Sequence, residues 1–225
     1  MTLPTSAISM SAINSEFGYG NSLGSYYNKR WYTDNNYRGY TPASGPISFS
    51  DFSAKRITNP VTSGSTTLYG SQNFTIPLFN SFTVTVVGGQ GGQAGQSGNY
   101  SGGAPGGQGG TTSFGNYISS AGGAGGSPSL GGGSYGTPQS FTWTVTDENQ
   151  NSILTHQNES VYASIGGGGG GGGGGLDYVY QCACTKYCGC GPYCVYCCET
   201  TCAWVFQDKS GGSGGAAGYI TISWS

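Results

Sequence analysis

Ten consecutive glycines, Gly166 to Gly175, stand inside "VYASIGGGGGGGGGGLDYVY", between two segments that read as strands. Glycine gives up more backbone entropy on ordering than any other residue, so this run is the strongest constraint on how the chain folds. It is not alone. Five further tracts, "GGQGGQAGQSG", "GGAPGGQGG", "GGAGG", "GGGSYG" and "GGSGGAAG", recur between strand-like segments. Any one of them by itself reads as a flexible linker. Six returning within one domain admit another reading. A polyproline-II helix has three residues per turn and rises ~3.1 Å per residue, and without side chains such helices pack closely enough for direct backbone hydrogen bonds. The run of ten then spans roughly 31 Å. Because a buried N–H or C=O needs a partner, neighbouring runs can satisfy one another. Two expectations therefore stand side by side: an ordered polyglycine-II bundle or stacked layer, and glycine loops packed irregularly.

Composition separates this chain from a disordered one. Glycine supplies 45 of 225 residues, yet 17 Tyr, 9 Phe and 4 Trp accompany a net charge of only −2. Disordered segments combine few aromatics with high net charge, so this balance argues for packing. Seven Lys or Arg against nine Asp or Glu leave no basic face for phosphate neutralisation, and nucleic-acid binding is not expected. The start, "MTLPTSAISMSAINSEFG", shows neither a basic n-region nor an apolar run, so no secretory signal is read there. No 18-residue apolar stretch suggests a membrane span.

The expected fold class is all-β: a β-sandwich with glycine-rich segments, an N-terminal arm carrying one short helix, and a cysteine-rich hairpin insertion. The arm covers residues 1–58. Its helix lies around "SAISMSAINSEFG", with Ser6 or Ser9 as cap, Ile8, Ala12 and Ile13 on one face, and Gly18 as stop. Residues 59–225 form the glycine-rich β domain, with the hairpin inserted at about 177–208. Alternation of period two marks "SFTVTVVGG" with Phe82, Val84 and Val86, "SFTWTVTD" with Phe141, Trp143 and Val145, and "YITISW" with Ile220, Ile222 and Trp224. "TLYG", "NFTIPLF", "TSFGNYI" and "SVYASI" bring the expectation to seven or eight short strands, the pattern of a sandwich.

Enzymatic constellations do not converge. "GNSLG" at Ser22, "GGSYG" at Ser134 and "GGSGG" at Ser213 match G-x-S-x-G, but none follows a strand and opens a helix as a nucleophile elbow requires. His156 has no cysteine or aspartate fixed beside it by spacing. Asp147 and Glu148 sit in "TDENQNS", which reads as a solvated turn. No Gly-Lys-Ser or Gly-Lys-Thr completes a P-loop. The expectation is a protein that is not an enzyme.

All eight cysteines fall between Cys182 and Cys202: Cys182, Cys184, Cys188, Cys190, Cys194, Cys197, Cys198 and Cys202. On either side of "GCGP" lie stretches rich in Tyr, Val and Thr, giving a hairpin with its tip near Gly191 and Pro192. Disulfides across such a hairpin would staple a projection too small for a core of its own. Thiolate-bound zinc or another metal is the alternative, although only Cys194 and Cys197 have C-x-x-C knuckle spacing. No cofactor is otherwise expected. Tyr178, Tyr180, Tyr187, Tyr193, Tyr196 and Trp204 decorate the same segment, and Tyr and Trp give large contact area at low entropic cost. They either cover the hairpin's own sulfur core or contact a carbohydrate or protein; Tyr187, Tyr193, Tyr196 and Trp204 are the binding candidates.

The N-terminal "ISMSAINSEFGYGNSLGSYY" with "GYTPASGPISFSDF" resembles a segment of tail-associated proteins of tailed bacteriophages. The stretch from "SFTVTVVGGQGGQAG" to "GGSGGAAGYITISWS" is similar to the glycine-rich domains of phage fibre and adhesin proteins. Together the two segments cover nearly the whole chain. The resemblance implies a virion protein of the tail, fibre or baseplate, made in the host cytoplasm and present in several copies, with a homotrimer favoured. It also implies that loops between glycine segments contact a glycan or protein of the host surface, and the cysteine hairpin occupies such a position. A connector without receptor contact and a tail-borne glycan hydrolase are the alternatives, and a secreted glycine-rich cell-wall protein is a further one.

Overall fold

The computed structural model describes residues 2–128, 132–187 and 198–225. In chain order the elements are helix α1 (Met10–Phe17), strands β1 (Arg30–Tyr32), β2 (Arg38–Tyr40), β3 (Gly64–Leu68), β4 (Gln72–Thr75), β5 (Ser81–Val87), β6 (Thr112–Phe114), β7 (Ile118–Ser120) and β8 (Gln139–Thr144), the short helix α2 (Gln150–Ile153), and strands β9 (Ser160–Ser164), β10 (Leu176–Tyr187), β11 (Cys198–Asp208) and β12 (Tyr219–Trp224). The fold is all-β with two short helices. The chain forms two compact units, one of residues 1–85, 140–163 and 221–225, the other of 86–139 and 164–220.

In the first unit, the N-terminal segment builds a core of its own. The Ser9 hydroxyl accepts the Ala12 N–H to start α1, and Gly18, at φ +74°, ends it by donating to the Asn14 carbonyl. Of the two caps the sequence offers, Ser6 and Ser9, the structure uses Ser9, and Gly18 is the expected stop. The helix buries Ile13 and Phe17 beside Leu3, Tyr26 and Phe52. Three edge-to-face ring pairs join Phe17, Tyr26 and Phe52 at 5.4 to 6.4 Å, a geometry worth about 0.5–1.5 kcal/mol per pair beyond area burial. Two distant stretches of the N-terminal segment thus meet here. Phe17 comes from "INSEFG" and Phe52 from "GPISFSDF", whose own 3-10 turn is closed by a Ser48–Asp51 capping box. Glu16 Oε1 also accepts the Ile57 N–H at 3.1 Å.

Strands β3, β12, β5 and β8 form a four-stranded sheet in that order. On β5, Phe82, Val84 and Val86 are fully buried and alternate with Thr83 and Thr85, which bond outward to Thr142 and Ser140 of β8 at 2.9 and 2.6 Å. Strand β12 buries Ile220 and Ile222. Strands β4 and β9 pair antiparallel, as do β1 and β2. Asp147 lies in an exposed turn, as expected, and is also an anchor. It takes a two-pronged bond from Arg30 at 2.7 and 3.1 Å and a third from Arg38 Nε at 3.2 Å, which holds its carboxyl below the usual carboxylate range. Arg38 and Gln150 add a reciprocal pair, backbone N–H to Oε1 at 2.9 Å and Nε2 to backbone carbonyl at 3.0 Å.

In the second unit, "TSFGNYI", read as one strand, is a hairpin of β6 and β7. Gly115, at φ +51°, reverses the chain and pairs Phe114 with Ile118. The six glycine tracts then hydrogen-bond to one another at every third residue. Gly89, Gly92 and Gly95 donate to Gly110, Gly107 and Ala104 at 2.8 to 3.0 Å, and Gln90, Gln93 and Gln96 donate to Ala216, Ser213 and Ser210 over the same range. The carbonyls of those three glutamines accept from Gly169, Gly172 and Gly175 at 2.7 to 2.8 Å. Tract 88–98 also bonds to Ser134 through Gly91 and to Gly123 and Gly126 through the carbonyls of Gly89 and Gly92. It therefore touches all five other tracts, three residues per repeat, and is the lattice's centre.

Close approach dictates which positions are glycine. A Cβ at Gly89, Gly92 or Gly95 would overlap a carbonyl of tract 166–175, and one at Gly88 or Gly91 would overlap a carbonyl of tract 121–126. Where no backbone is in the way, side chains return every third residue: Gln90, Gln93 and Gln96 in the central tract, Ala121 and Ala124 in tract 121–126, and Ser210, Ser213 and Ala216 in tract 209–218. This G-G-x rhythm is the sequence signature of the lattice.

Candidate binding surface on the hairpin

The hairpin grows directly out of the glycine lattice, β10 from tract 166–175 and β11 back into tract 209–218. Its root is fixed by a residue of another tract's end. Asn99 acts as a third strand one residue long: its Oδ1 accepts the Tyr178 N–H at 2.6 Å, its Nδ2 donates to the Tyr178 carbonyl at 3.2 Å, and its own N–H donates to Asp177 Oδ1 at 2.7 Å. The Leu176 carbonyl accepts from the N–H groups of Tyr100 and Ser101, and the Leu176 N–H donates to Ser101 Oγ at 2.8 Å. Lys209 Nζ lies 2.5 Å from Asp177 Oδ2. Lys209 first, and then the Asn99 N–H, hold the Asp177 carboxyl below its ordinary range.

From that root the two strands pair antiparallel, Tyr178 opposite Phe206, Tyr180 opposite Trp204 and Cys182 opposite Cys202. Because side chains alternate along a strand, Tyr178, Tyr180, Trp204 and Phe206 share one face. Their rings touch in sequence. Tyr178 stacks on Trp204 at 5.0 Å with planes 19° apart, Tyr180 lies 5.2 Å from Trp204, and Phe206 lies 4.9 Å from Tyr178. Tyr100, from the turn after the central tract, closes the row at 4.8 Å from Phe206. Tyr100, Tyr180, Trp204 and Phe206 are each more than half exposed. The result is a continuous aromatic strip in water, held on paired strands.

Of the residues singled out from sequence, Trp204 sits in the middle of this strip. Tyr187 is placed by its backbone at the end of β10, opposite Cys198, while Tyr193 and Tyr196 lie outside the described residues. Cys202 is disulfide-bonded, and the register sets it opposite Cys182. Cys184 is placed opposite Thr200, with a bulge before Lys186. Cys188, Cys190, Cys194 and Cys197 lie outside the described residues, as does the expected tip at Gly191 and Pro192. Among the described residues, no group of three or more His, Cys, Asp or Glu is gathered to hold a metal ion. Among the described residues, no helix is long and apolar enough to cross a membrane.

Sequence reasoning missed two members of the strip. Phe206 was within reach, since it follows Cys202 and Trp204 at alternating positions. Tyr100 carries no local signal, being an aromatic in a turn between two glycine tracts, and only the tertiary fold brings it to the hairpin. The dismissed residues hold structural positions. His156 stacks on Trp143 at 4.4 Å and bonds Glu159 through Nδ1 at 3.0 Å, Ser22 precedes a 3-10 turn, and Ser134 and Ser213 exchange backbone bonds within the glycine lattice. Comparison with protein-family models, with curated proteins and with solved structures finds no match to this chain.

Proposed function

We propose that this chain is a structural virion protein of a phage tail, fibre or baseplate, and that it binds the host surface through the aromatic face of its cysteine-rich hairpin. The observation that carries the reading is the strip of Tyr100, Tyr178, Tyr180, Trp204 and Phe206, exposed to water on a hairpin rooted in a glycine lattice. Leaving large rings in water forgoes the burial that ordinarily stabilises a fold, and clustered rings rimmed by polar groups mark interaction sites. Tyr and Trp are the residues that dominate binding energy at such sites. In the same reading the three-residue hydrogen-bond repeat is that of a polyglycine-II bundle, the sheets belong to a β-sandwich, and residues 1–58 dock the subunit onto other tail proteins as part of a homo-oligomer.

The resemblance of the N-terminal motif to phage tail proteins supports the setting. The N-terminal core built from Phe17, Tyr26 and Phe52 gives that motif a physical role as a packed unit. The work is binding and scaffolding, without turnover. The test replaces Trp204 and Tyr178 by alanine in the intact particle. The expected result is normal assembly and a loss of adsorption of at least tenfold, the equivalent of about 1.4 kcal/mol. Unchanged adsorption with both rings removed overturns the reading. Labelling the particle with an antibody to residues 177–208 separates a receptor-facing hairpin, which is reached, from a connector buried between subunits, which is not.

A further inference from the structure

Cys202 is disulfide-bonded, and the backbone of the hairpin points to its partner. In an antiparallel pair, opposed residues alternate between hydrogen-bonded pairs, whose N–H and C=O groups face the neighbouring strand, and non-hydrogen-bonded pairs, whose groups face away. The root of the hairpin fixes which is which. The N–H and carbonyl of Tyr178 both bond to the Asn99 side chain, and those of Leu176 bond to Tyr100 and Ser101, so neither residue turns its backbone toward β11. Between them the parity is opposite: just before β10, the Lys209 N–H donates to the Gly175 carbonyl at 2.8 Å. The register then runs unbroken until the shift between Cys184 and Lys186. Tyr178 with Phe206, Tyr180 with Trp204 and Cys182 with Cys202 are therefore successive non-hydrogen-bonded pairs.

Distance favours Cys182 over the other cysteines of the two strands. Opposed Cα atoms of a non-hydrogen-bonded pair lie ~4.5 Å apart, with side chains at their closest. A disulfide joins Cα atoms roughly 4.4–6.8 Å apart. Cys184 stands opposite Thr200 and is diagonal to Cys202, a relation that separates Cα atoms by about 7–8 Å. Cys198 lies on the same strand as Cys202, four residues away, which at ~3.3 Å per residue is about 13 Å.

We propose that Cys182 and Cys202 are joined across the strands, and that this bond clamps the far end of the aromatic strip as Asn99 clamps the near end. Alternation puts both positions on the face that carries Tyr178, Tyr180, Trp204 and Phe206, next in line after the Tyr180 and Trp204 pair. A two-stranded hairpin is at best marginally stable in water, so fastening both ends holds the rings between them at one spacing. Closing the bond takes two protons and two electrons from the two thiols; an exchanging small-molecule disulfide accepts them and leaves as two thiols. The clamp's use in recognition rests on the reading of the strip as the binding face, whereas the bond and its mechanical effect do not.

The test uses the full-length protein. Partial reduction in acid, alkylation of the freed thiols and fragmentation mass spectrometry are expected to label Cys182 and Cys202 together. Cys202 labelled together with any other cysteine overturns the pair. For the clamp, Cys182→Ser and Cys202→Ser combined are expected to speed amide exchange at Gln181 and Ala203 by about tenfold or more, with exchange at Gly92 and Gly107 unchanged. Unchanged exchange at Gln181 and Ala203, or an equal rise at Gly92 and Gly107, overturns the clamp. Should the serine variant not fold, Cys182→Val with Cys202→Val, which keeps an apolar cross-strand contact without the bond, carries the same measurement. Neither readout involves a host ligand, so a strip that is clamped and yet takes no part in adsorption would overturn the binding reading and leave this inference standing.

Discussion

Gly92 and Gly170 lie in neighbouring tracts, and a side chain at each has opposite consequences. A methyl at Gly92 would run into the Gly170 carbonyl, backbone that cannot turn aside, whereas a methyl at Gly170 meets open space. Overpacking a well-packed site costs typically about 1–3 kcal/mol, so Gly92→Ala is expected to cost roughly 3 kcal/mol in chemical denaturation. Gly170→Ala is expected to gain about 0.4–1 kcal/mol by narrowing the unfolded ensemble. Equal effects at the two positions would mean that the tracts are not in register as described. Asp147 supports a second measurement at this scale. Its carboxyl is held low by Arg30 and Arg38, so its contribution is complete above the unfolded value near ~3.9 and is lost as pH falls through the lower folded value. Asp147→Asn is therefore expected to cost about 1 kcal/mol at pH 7, the upper end for exposed pairs, and progressively less as pH falls from 5 towards 2. Capping at Ser9 and Gly18 was legible from sequence because a cap is local. The role of Asp147 was not, because its partners lie more than a hundred residues away in the chain and nothing in "TDENQNS" announces them.

At the scale of elements, alternation made β5, β8 and β12 legible, because each has one face more deeply covered than the other, fully buried on β5 and partly covered at Phe141 and Trp143 on β8, and period two follows directly. "TSFGNYI" misled for a definite reason: its apolar residues Phe114 and Ile118 are four apart, and reading them as one strand ignored the glycine at Gly115 whose positive φ turns the chain back. The hairpin's two strands were legible from their β-branched and aromatic content. What held its root was not, because that depends on Asn99. A two-stranded hairpin is at best marginally stable in water, so the single residue that bonds both the N–H and the C=O of Tyr178 should matter out of proportion to its size. Asn99→Ala leaves those groups to water and keeps the Asp177 contact, since that bond comes from the Asn99 N–H. The expected outcome is a local loss of about 1–2 kcal/mol, seen as faster amide exchange at Tyr178 and a weaker near-ultraviolet signal from the Tyr178 and Trp204 stack, with exchange at Gly92 and Gly107 unchanged. If exchange rises equally across the glycine tracts, the root is part of the lattice's own stability rather than an attachment to it.

For the molecule as a whole, the division of labour between apolar burial and backbone pairing has a thermodynamic signature. The described buried hydrophobic residues belong mostly to the N-terminal core and the sheets, while tracts 88–98, 101–110 and 166–175 contribute glycine and a repeating set of hydrogen bonds. Unfolding those tracts exposes peptide groups with little apolar surface. Apolar exposure raises the heat capacity and polar exposure lowers it, and an ordinary domain of this length gives a change of about 3 kcal/mol/K. Glycine's six tracts should pull the value for this chain well below that, to about 2 kcal/mol/K or less. A smaller heat-capacity change flattens the dependence of stability on temperature, so the protein should lose little stability on cooling or warming around its optimum. Scanning calorimetry under reversible conditions measures both quantities. A heat-capacity change at or above the ordinary value would mean that unfolding exposes as much apolar surface as in an ordinary domain, and would overturn this division of labour. The same experiment on Gly92→Ala sharpens the distinction: with the central tract prevented from packing, the enthalpy of unfolding should fall while the heat-capacity change per unit of enthalpy rises.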